Sequence, residues 1–281
     1  MSENNIHWFP GHMKKALNEI EERLKIIDVV VELVDARAPK SSMNFSLENR
    51  IKNKPHLFLI TKADLADPKE NQKWVKYFSS GENKAIIGDL KSRDIINKIK
   101  SSLIPLASKK REKEARRGMK PQPIKTMIIG IPNVGKSTLI NKIAERKSAG
   151  VENKPGLTRA EQWIKVDKDF ILLDTPGILP MNYESQIDAA NLALIGSIRE
   201  DILPYEILVN YLLKIFREHY PRALESRFAI FPILDDESVT VQIANNRGLI
   251  SNGQIDLLRA QKLLVKEFKD GLLGHISLER I

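Results

Sequence analysis

The sequence contains no cysteine. That excludes a disulfide scaffold and any zinc or iron–sulfur site built on thiolates, and it fits a reducing compartment. Long apolar runs are missing too. The longest, Ile26–Asp35 (IIDVVVELVD), is broken by charge and falls well short of the ~18 residues that a membrane-spanning helix needs. The N-terminal stretch MSENNIHWFPGHMKKALNEIEERLK lacks the basic-then-apolar order of a signal peptide. These absences lead us to expect a cytoplasmic protein with no membrane contact. Residues 180–281 also lack a net positive charge, with a balance of −3 against +12 for residues 1–179.

What is present suits a soluble chain of two domains: 281 residues, 42% hydrophobic and 29% charged. The net charge of +9 points to a polyanionic partner, although a Lys-rich solvated surface would give the same total. The densest basic run is Ser108–Pro123, with seven basic and two acidic residues between Ser108 and Lys120. It has no apolar period and ends in glycine and prolines, so it reads as a partly helical, solvated linker over 108–123.

Apolar spacing predicts a helix over Met13–Lys25, through Ala16, Leu17, Ile20 and Leu24. Unbroken β-branched runs at Val29–Val34 and His56–Ile60 predict buried parallel strands. Asp67-Pro68 should open a helix to about Phe78, with Asp67 as N-cap. Further strands are expected at Ala85–Ile87, Thr126–Ile129, Gln162–Val166 and Phe170–Leu173, and helices at Arg93–Leu106 and Lys136 to about Glu145. Alternating strands and helices predict a doubly wound, mostly parallel α/β sheet over residues 1–179. Beyond about Tyr183 the pattern changes. Ile187–Ile198, Tyr205–His219 and Ile255–Phe268 read as amphipathic helices with no strand between them, so 180–281 is expected to be a smaller all-α domain.

Gly130-Ile-Pro-Asn-Val-Gly135-Lys136-Ser137 has the P-loop spacing, with an apolar strand before it and a helix after it. Such glycines let backbone N–H groups, including those of Val134, Gly135 and Thr138, wrap phosphates at a helix N-terminus. Lys136 would reach the β- and γ-phosphates, and the Ser137 hydroxyl would ligate Mg²⁺. Asp174-Thr-Pro-Gly177 follows an apolar strand 37 residues past Ser137. Asp174 could hold Mg²⁺ through water, and the Gly177 N–H could meet the γ-phosphate. Thr158, in the loop Lys154–Arg159, could add a second hydroxyl to the metal and order that loop as a switch. In Thr61-Lys62-Ala63-Asp64, the Asp64 carboxylate can accept from guanine N1–H and the 2-amino group, an edge adenine lacks. The Lys62 stem could pack on the base.

The guanine motif precedes the P-loop, which reverses the usual GTPase order and resembles the circularly permuted GTPases. Trp8-Phe-Pro-Gly-His12-Met, Asp35-Ala-Arg-Ala-Pro, the P-loop through Thr138, Asp174-Thr-Pro-Gly-Ile178 and the closing Gly274-His-Ile-Ser-Leu-Glu279 resemble the ribosome biogenesis GTPase A family. The resemblance covers nearly the whole chain. It implies a GTP hydrolase acting late in large-subunit assembly and stimulated by the assembling subunit. It also implies that a C-terminal helical domain and basic surfaces contact ribosomal RNA. The partner expected is therefore a large-subunit precursor, bound by a monomer. The Asp174–Gly177 segment lies just before the C-terminal domain, so γ-phosphate contacts could reposition that domain on RNA.

Ile178 stands where many GTPases carry a water-orienting Gln. The resemblance points to His12 for that task, as a neutral imidazole that orients or deprotonates water. Asn133 resembles the P-loop residue of GTPases that bind K⁺ beside the phosphates, where the ion replaces an arginine finger. Two departures stand out. Thr61 replaces the usual Asn and loses an amide that would contact the base and tie neighbouring loops. The family's Ser near the next strand end is absent from Ala85–Asp89, which leaves a backbone N–H at Ile87 or Gly88 to read guanine O6. The alternatives are a GTP-dependent RNA-binding switch with incidental hydrolysis and an ATPase, against which Asp64 argues. A related permuted family acts on the small subunit, but it carries a Cys/His zinc module that this chain cannot build. For RNA contact by the acidic C-terminal part, a local patch of Arg217, Arg222 and Arg227 is the candidate.

Overall fold

The structure is a computed structural model. It describes residues 18, 20–148, 163–175, 185–199, 203–251 and 253–281. Residues 20–24 are helical, within the helix expected over Met13–Lys25, and the earlier part of that helix lies outside the described residues.

A six-stranded sheet organises the first part of the chain. Its strands are β1 (Val29–Asp35), β2 (His56–Thr61), β3 (Lys84–Gly88), β4 (Ile124–Ile129), β5 (Trp163–Lys165) and β6 (Phe170–Asp174). The order is β3-β2-β1-β4-β6-β5. All neighbours are parallel except β5, which pairs antiparallel with β6. Chain direction across the sheet reverses between β1 and β4. At such a switch point the C-terminal strand ends open a crevice that binds ligands.

The helices are α1 (Phe45–Ile51), α2 (Pro68–Phe78), α3 (Ile95–Leu106), α4 (Ser108–Arg116) and α5 (Lys136–Ser148), followed by α6 (Gln186–Leu194), α7 (Tyr205–His219), α8 (Glu225–Phe228), α9 (Asp236–Asn246) and α10 (Leu257–Lys269). Asp67 caps α2, its side chain accepting from the Lys69 N–H. The basic segment 108–123 is partly helical and mostly exposed, as expected: nine of its residues form α4. With only Glu114 buried, α4 is held by its own ion pairs, Lys110–Glu114 at 3.0 Å and Arg111–Glu114 at 3.0 Å.

The C-terminal part departs from the expected pattern in several places, two further helices, α8 and α9, among them. A two-stranded antiparallel hairpin, β7 (Ile250–Ser251) with β8 (Gln254–Ile255), sits between α9 and α10. Its sequence carries Asn-Gly at 252–253, a hairpin turn signal, and Gly253 has φ +77°. The last helix accordingly starts at Leu257 and not at Ile255. Helix α6 ends earlier than expected, at Leu194, where Gly196 turns the chain at φ +79°.

One continuous apolar core joins the sheet to the C-terminal helices, running from Val31, Leu57 and Ile128 to Leu208, Phe216 and Leu264. A second cluster under residues 20–27 and α1 includes Val30, Leu47, Ile51 and Met127. Glu32, in the middle of buried β1, is one of two buried carboxylates on that strand, with Asp35 at its end. Glu32 accepts from the Asn44 N–H at 2.8 Å. Burial pushes its carboxyl up to about 7. The Asn44 N–H opposes that shift and the Glu48 charge adds to it.

Candidate functional site: a nucleotide cleft at the strand ends

The P-loop spans the turn from β4 into α5, as the sequence pattern requires. Gly130 sits at φ +158°, and a Cβ there would lie 2.9 Å from Val134 Cγ1 and 3.1 Å from the Leu33 carbonyl oxygen. Gly135, at φ +108°, would bring a Cβ within 2.7 Å of Leu90 Cδ1. Both positions therefore need glycine, for backbone shape and for space. Ser137 and Thr138 are exposed at the start of α5. Lys136 is buried, and its Nζ donates to the Thr175 carbonyl. Thr175 in turn donates to the Ile128 carbonyl at 2.6 Å. The end of β6, with Asp174 as its last residue, is thus stitched to the strand that feeds the P-loop.

Asn133 is left-handed at φ +60° and exposed. Its Nδ2 donates to the Gly196 carbonyl at 2.7 Å, in the turn that ends α6. That bond fixes the amide with Nδ2 as the donor toward Gly196, which leaves Oδ1 as the acceptor end, the atom type a cation would need.

The guanine motif closes the other side of the cleft. Thr61, fully buried at the end of β2, has its hydroxyl 2.7 Å from the Val134 carbonyl and 3.1 Å from that of Val34. The sequence-based expectation that Thr61 loses the tie between loops is therefore wrong. A hydroxyl that short reaches the P-loop backbone directly and replaces the missing amide. Lys62 follows in the left-handed region at φ +55° and opens a 3-10 turn over Ala63–Leu65. Asp64 in that turn is largely exposed, with a 66% accessible side chain, and lies 3.7 Å from Lys91 Nζ. It is an open carboxylate. Gly88 ends β3 beside Thr61, and a Cβ there would lie 2.5 Å from Leu59 Cδ1. Ile87 is half-buried next to it. The loop after β3 is held by Lys142 of α5, whose Nζ donates to the carbonyls of Leu90 and Lys91, each at 2.8 Å.

His12, Thr158, Gly177 and Ile178 lie outside the described residues, as does the side chain of Asp174. Thr61, Lys62, Asp64, Ile87, Gly88 and the P-loop residues 133–138 are brought to one rim. Sequence reasoning gave no role to Asp35 and Arg37, although it singled out their motif. Arg37 donates Nε to Asp35 Oδ1 at 2.9 Å and Nη2 to Oδ2 at 2.8 Å. The same guanidinium reaches the Ile195 carbonyl at 3.2 Å and the Lys269 carbonyl at 3.4 Å, at the ends of α6 and α10. Burial alone would raise the Asp35 carboxyl. The charges and hydrogen bonds of Arg37, then of Lys62, overcome it and hold the group well below the usual carboxylate range.

Residues 276–281 strap the C-terminal part onto this rim. Ile276 N–H donates to the Leu65 carbonyl at 3.1 Å, and Leu278 N–H donates to the Arg37 carbonyl at 2.7 Å. Glu279 accepts from the N–H groups of Lys40 at 2.6 Å and Ser41 at 2.9 Å, and from Asn191 Nδ2 at 3.2 Å. The proposed arginine patch does not stand as free charge. Arg217 pairs with Asp236, Arg222 with Glu225 at 3.1 Å and Arg227 with Glu267 at 2.7 Å.

A P-loop on a doubly wound sheet, joined to an Asp-bearing base loop that precedes it in the chain, defines the class as a permuted P-loop GTPase. Comparison with known proteins agrees. The family model of the 50S ribosome-binding GTPases matches residues 125–217. The ribosome biogenesis GTPase A of Bacillus cereus is 41% identical over 276 residues, covering 98% of this chain and 93% of its own length. That of Thermotoga maritima is 33% identical over 278 residues, covering 98% and 94%. The solved structure of GDP-bound TM YlqF superposes with a TM-score of 0.66 at 28% identity, over 93% of this chain and 98% of that one. GNP-bound YlqF from T. maritima gives 0.64 at 26%, over 95% and 98%. The chain belongs to the ribosome biogenesis GTPase A family.

Proposed function

We propose that this chain is a GTP-hydrolysing assembly factor for the large ribosomal subunit. In this reading it binds GTP and Mg²⁺, docks on ribosomal RNA of a late precursor, and leaves when subunit-stimulated hydrolysis removes the γ-phosphate. The observation that supports the reading is the Thr61–Val134 hydrogen bond, which ties the segment Thr61–Asp64 to the loop between Gly130 and Ser137.

In that cleft, Asp64 accepts from the guanine edge, the Lys62 stem covers the base, and a backbone N–H at Ile87 or Gly88 reads O6. The N–H groups of residues 133–138 wrap the phosphates, and Lys136 leaves the Thr175 carbonyl for the β- and γ-oxygens. The donors Ser137, Thr158 and Asp174 are hard oxygens, which suit Mg²⁺. The exposed Ser137 hydroxyl at the start of α5 fits that role. When bound, Mg²⁺ neutralises charge on the phosphate oxygens. The Oδ1 of Asn133 suits K⁺, which would supply positive charge near the transferring group. Gly177 reads the γ-phosphate, and His12 orients or deprotonates the attacking water. Residues 1–179 hold this chemistry, and 180–281 form the helical part that follows the nucleotide state through the Asn133–Gly196 contact.

The test is GTP turnover with and without purified large-subunit precursors, in KCl and in NaCl at equal ionic strength. The expected result is stimulation by the precursor, greater in KCl. Nucleotide-dependent RNA binding without stimulated turnover would replace this reading with that of a GTP-dependent RNA switch.

A further inference from the structure

We propose that Asp35 is a positioning residue for guanine recognition, acting through Lys62. The inference rests on the reading of the cleft as a GTP site and adds to it a residue that never touches the nucleotide.

Asp35 and Thr61 are register partners at the ends of adjacent parallel strands. The chain leaves Thr61 through Lys62, which is non-glycine yet left-handed at φ +55°, ψ +33°. That conformation is uphill for an L-residue with a Cβ, so something must hold it. Two bonds do so. The Leu65 N–H donates to the Lys62 carbonyl at 2.9 Å and closes the 3-10 turn. Lys62 Nζ pairs with Asp35 Oδ2 at 2.9 Å.

The two ends of this ion pair differ sharply. The Asp35 side chain is 1% exposed and cannot move, because Arg37 grips both of its oxygens and the Arg37 N–H adds a third bond at 3.1 Å. The Lys62 side chain is 27% exposed. The fixed carboxylate therefore anchors the mobile lysine. Tethering Nζ limits the directions open to its four-carbon stem, the surface that would cover the base. It also secures the left-handed turn that presents Asp64 two residues later. Among the described residues, Asp64 has one ion pair, with exposed Lys91 at 3.7 Å, and a longer-range attraction to Arg37. Its position is thus inherited from the backbone at Lys62, and through Lys62 from Asp35.

The test is a double-mutant cycle with steady-state GTP kinetics. Lys62→Met removes the tether from one end and Asp35→Asn from the other. Each should raise KM for GTP about tenfold, or 1.4 kcal/mol, with kcat at saturation nearly unchanged, because neither group meets the reacting phosphate. Selectivity for GTP over ITP, which lacks the 2-amino group, should fall in both. The double variant should be no worse than either single one, since both changes break the same link. Additive effects, near a hundredfold in KM, would overturn the proposal. So would a loss of kcat with KM unchanged. If Asp35→Asn fails to fold because Arg37 is left without its carboxylate, the same cycle is run with Arg37→Met in every arm. There Asp35 keeps Lys62 as its sole cation. A wild-type chain that does not turn over GTP would refute the GTP reading itself, before the cycle is run.

Discussion

Replacing Glu32 by glutamine isolates the electrostatic cost of placing a carboxylate in the centre of the sheet. Glu32 is 2% exposed, and its pKa is lifted from 4.5 to about 7, chiefly by burial. A carboxyl whose folded value is raised holds its proton more tightly when folded. Its contribution is therefore complete below pH 4.5 and is lost as pH climbs to about 7, after which the charged group is simply carried at a cost. A shift of about 2.5 units at 1.36 kcal/mol per unit corresponds to roughly 3 kcal/mol. Glutamine keeps the shape and an oxygen for the Asn44 N–H, but it cannot ionise. The Glu32→Gln chain should thus match the wild type near pH 4.5 and exceed it by about 3 kcal/mol above pH 7.5. Urea unfolding of both chains at half-unit pH steps measures the gap. The groups with lowered pKa, such as Asp67 and Asp167, act equally in both chains and cancel. A stability difference that does not change between pH 4.5 and 7.5 would refute the reasoning.

Three further outcomes follow from the cleft. Thr61→Val keeps the volume but leaves the Val134 carbonyl without its donor, so GTP binding measured by calorimetry should weaken by about 1 kcal/mol, roughly fivefold. Gly135→Ala adds a Cβ 2.7 Å from Leu90 Cδ1 at a left-handed position, and it should lower both the melting temperature and nucleotide affinity. Asp64→Asn turns an acceptor into a donor at the base edge. Affinity for GTP should fall and affinity for xanthosine triphosphate should rise, both readable by fluorescent-nucleotide competition.

The sequence made the phosphate loop legible because its spacing and its flanking strand and helix are local facts. Helix α7 was legible over Tyr205–His219 because six buried residues repeat along one face. Other features depend on partners distant in the chain. Helix α4 shows no apolar period, and its stability lies in charge pairs that a periodicity reading does not weigh. Helix α9 is rich in β-branched residues and owes its form to the Asp235 cap and to burial of Val239 and Ile243. The openness of Asp64, the reach of Thr61 to Val134 and the anchoring of Lys62 are set by neighbouring strands, which no single segment encodes. The ion pairs of Arg217, Arg222 and Arg227 were likewise hidden from the sequence: each meets a carboxylate brought to it by the fold.

The strap at 276–281 has a consequence in time. Arg37 lies two residues past the end of β1, yet its carbonyl is paired only when Leu278, about 240 residues later in synthesis, arrives. The N–H groups of Lys40 and Ser41 likewise wait for the Glu279 carboxylate. Closing so long a loop is slow compared with forming a local helix. This rim therefore stays incompletely bonded until residues 276–279 have been made. A ribosome stalled before codon 276 would hold a nascent chain with its sheet begun and its Arg37 loop still open.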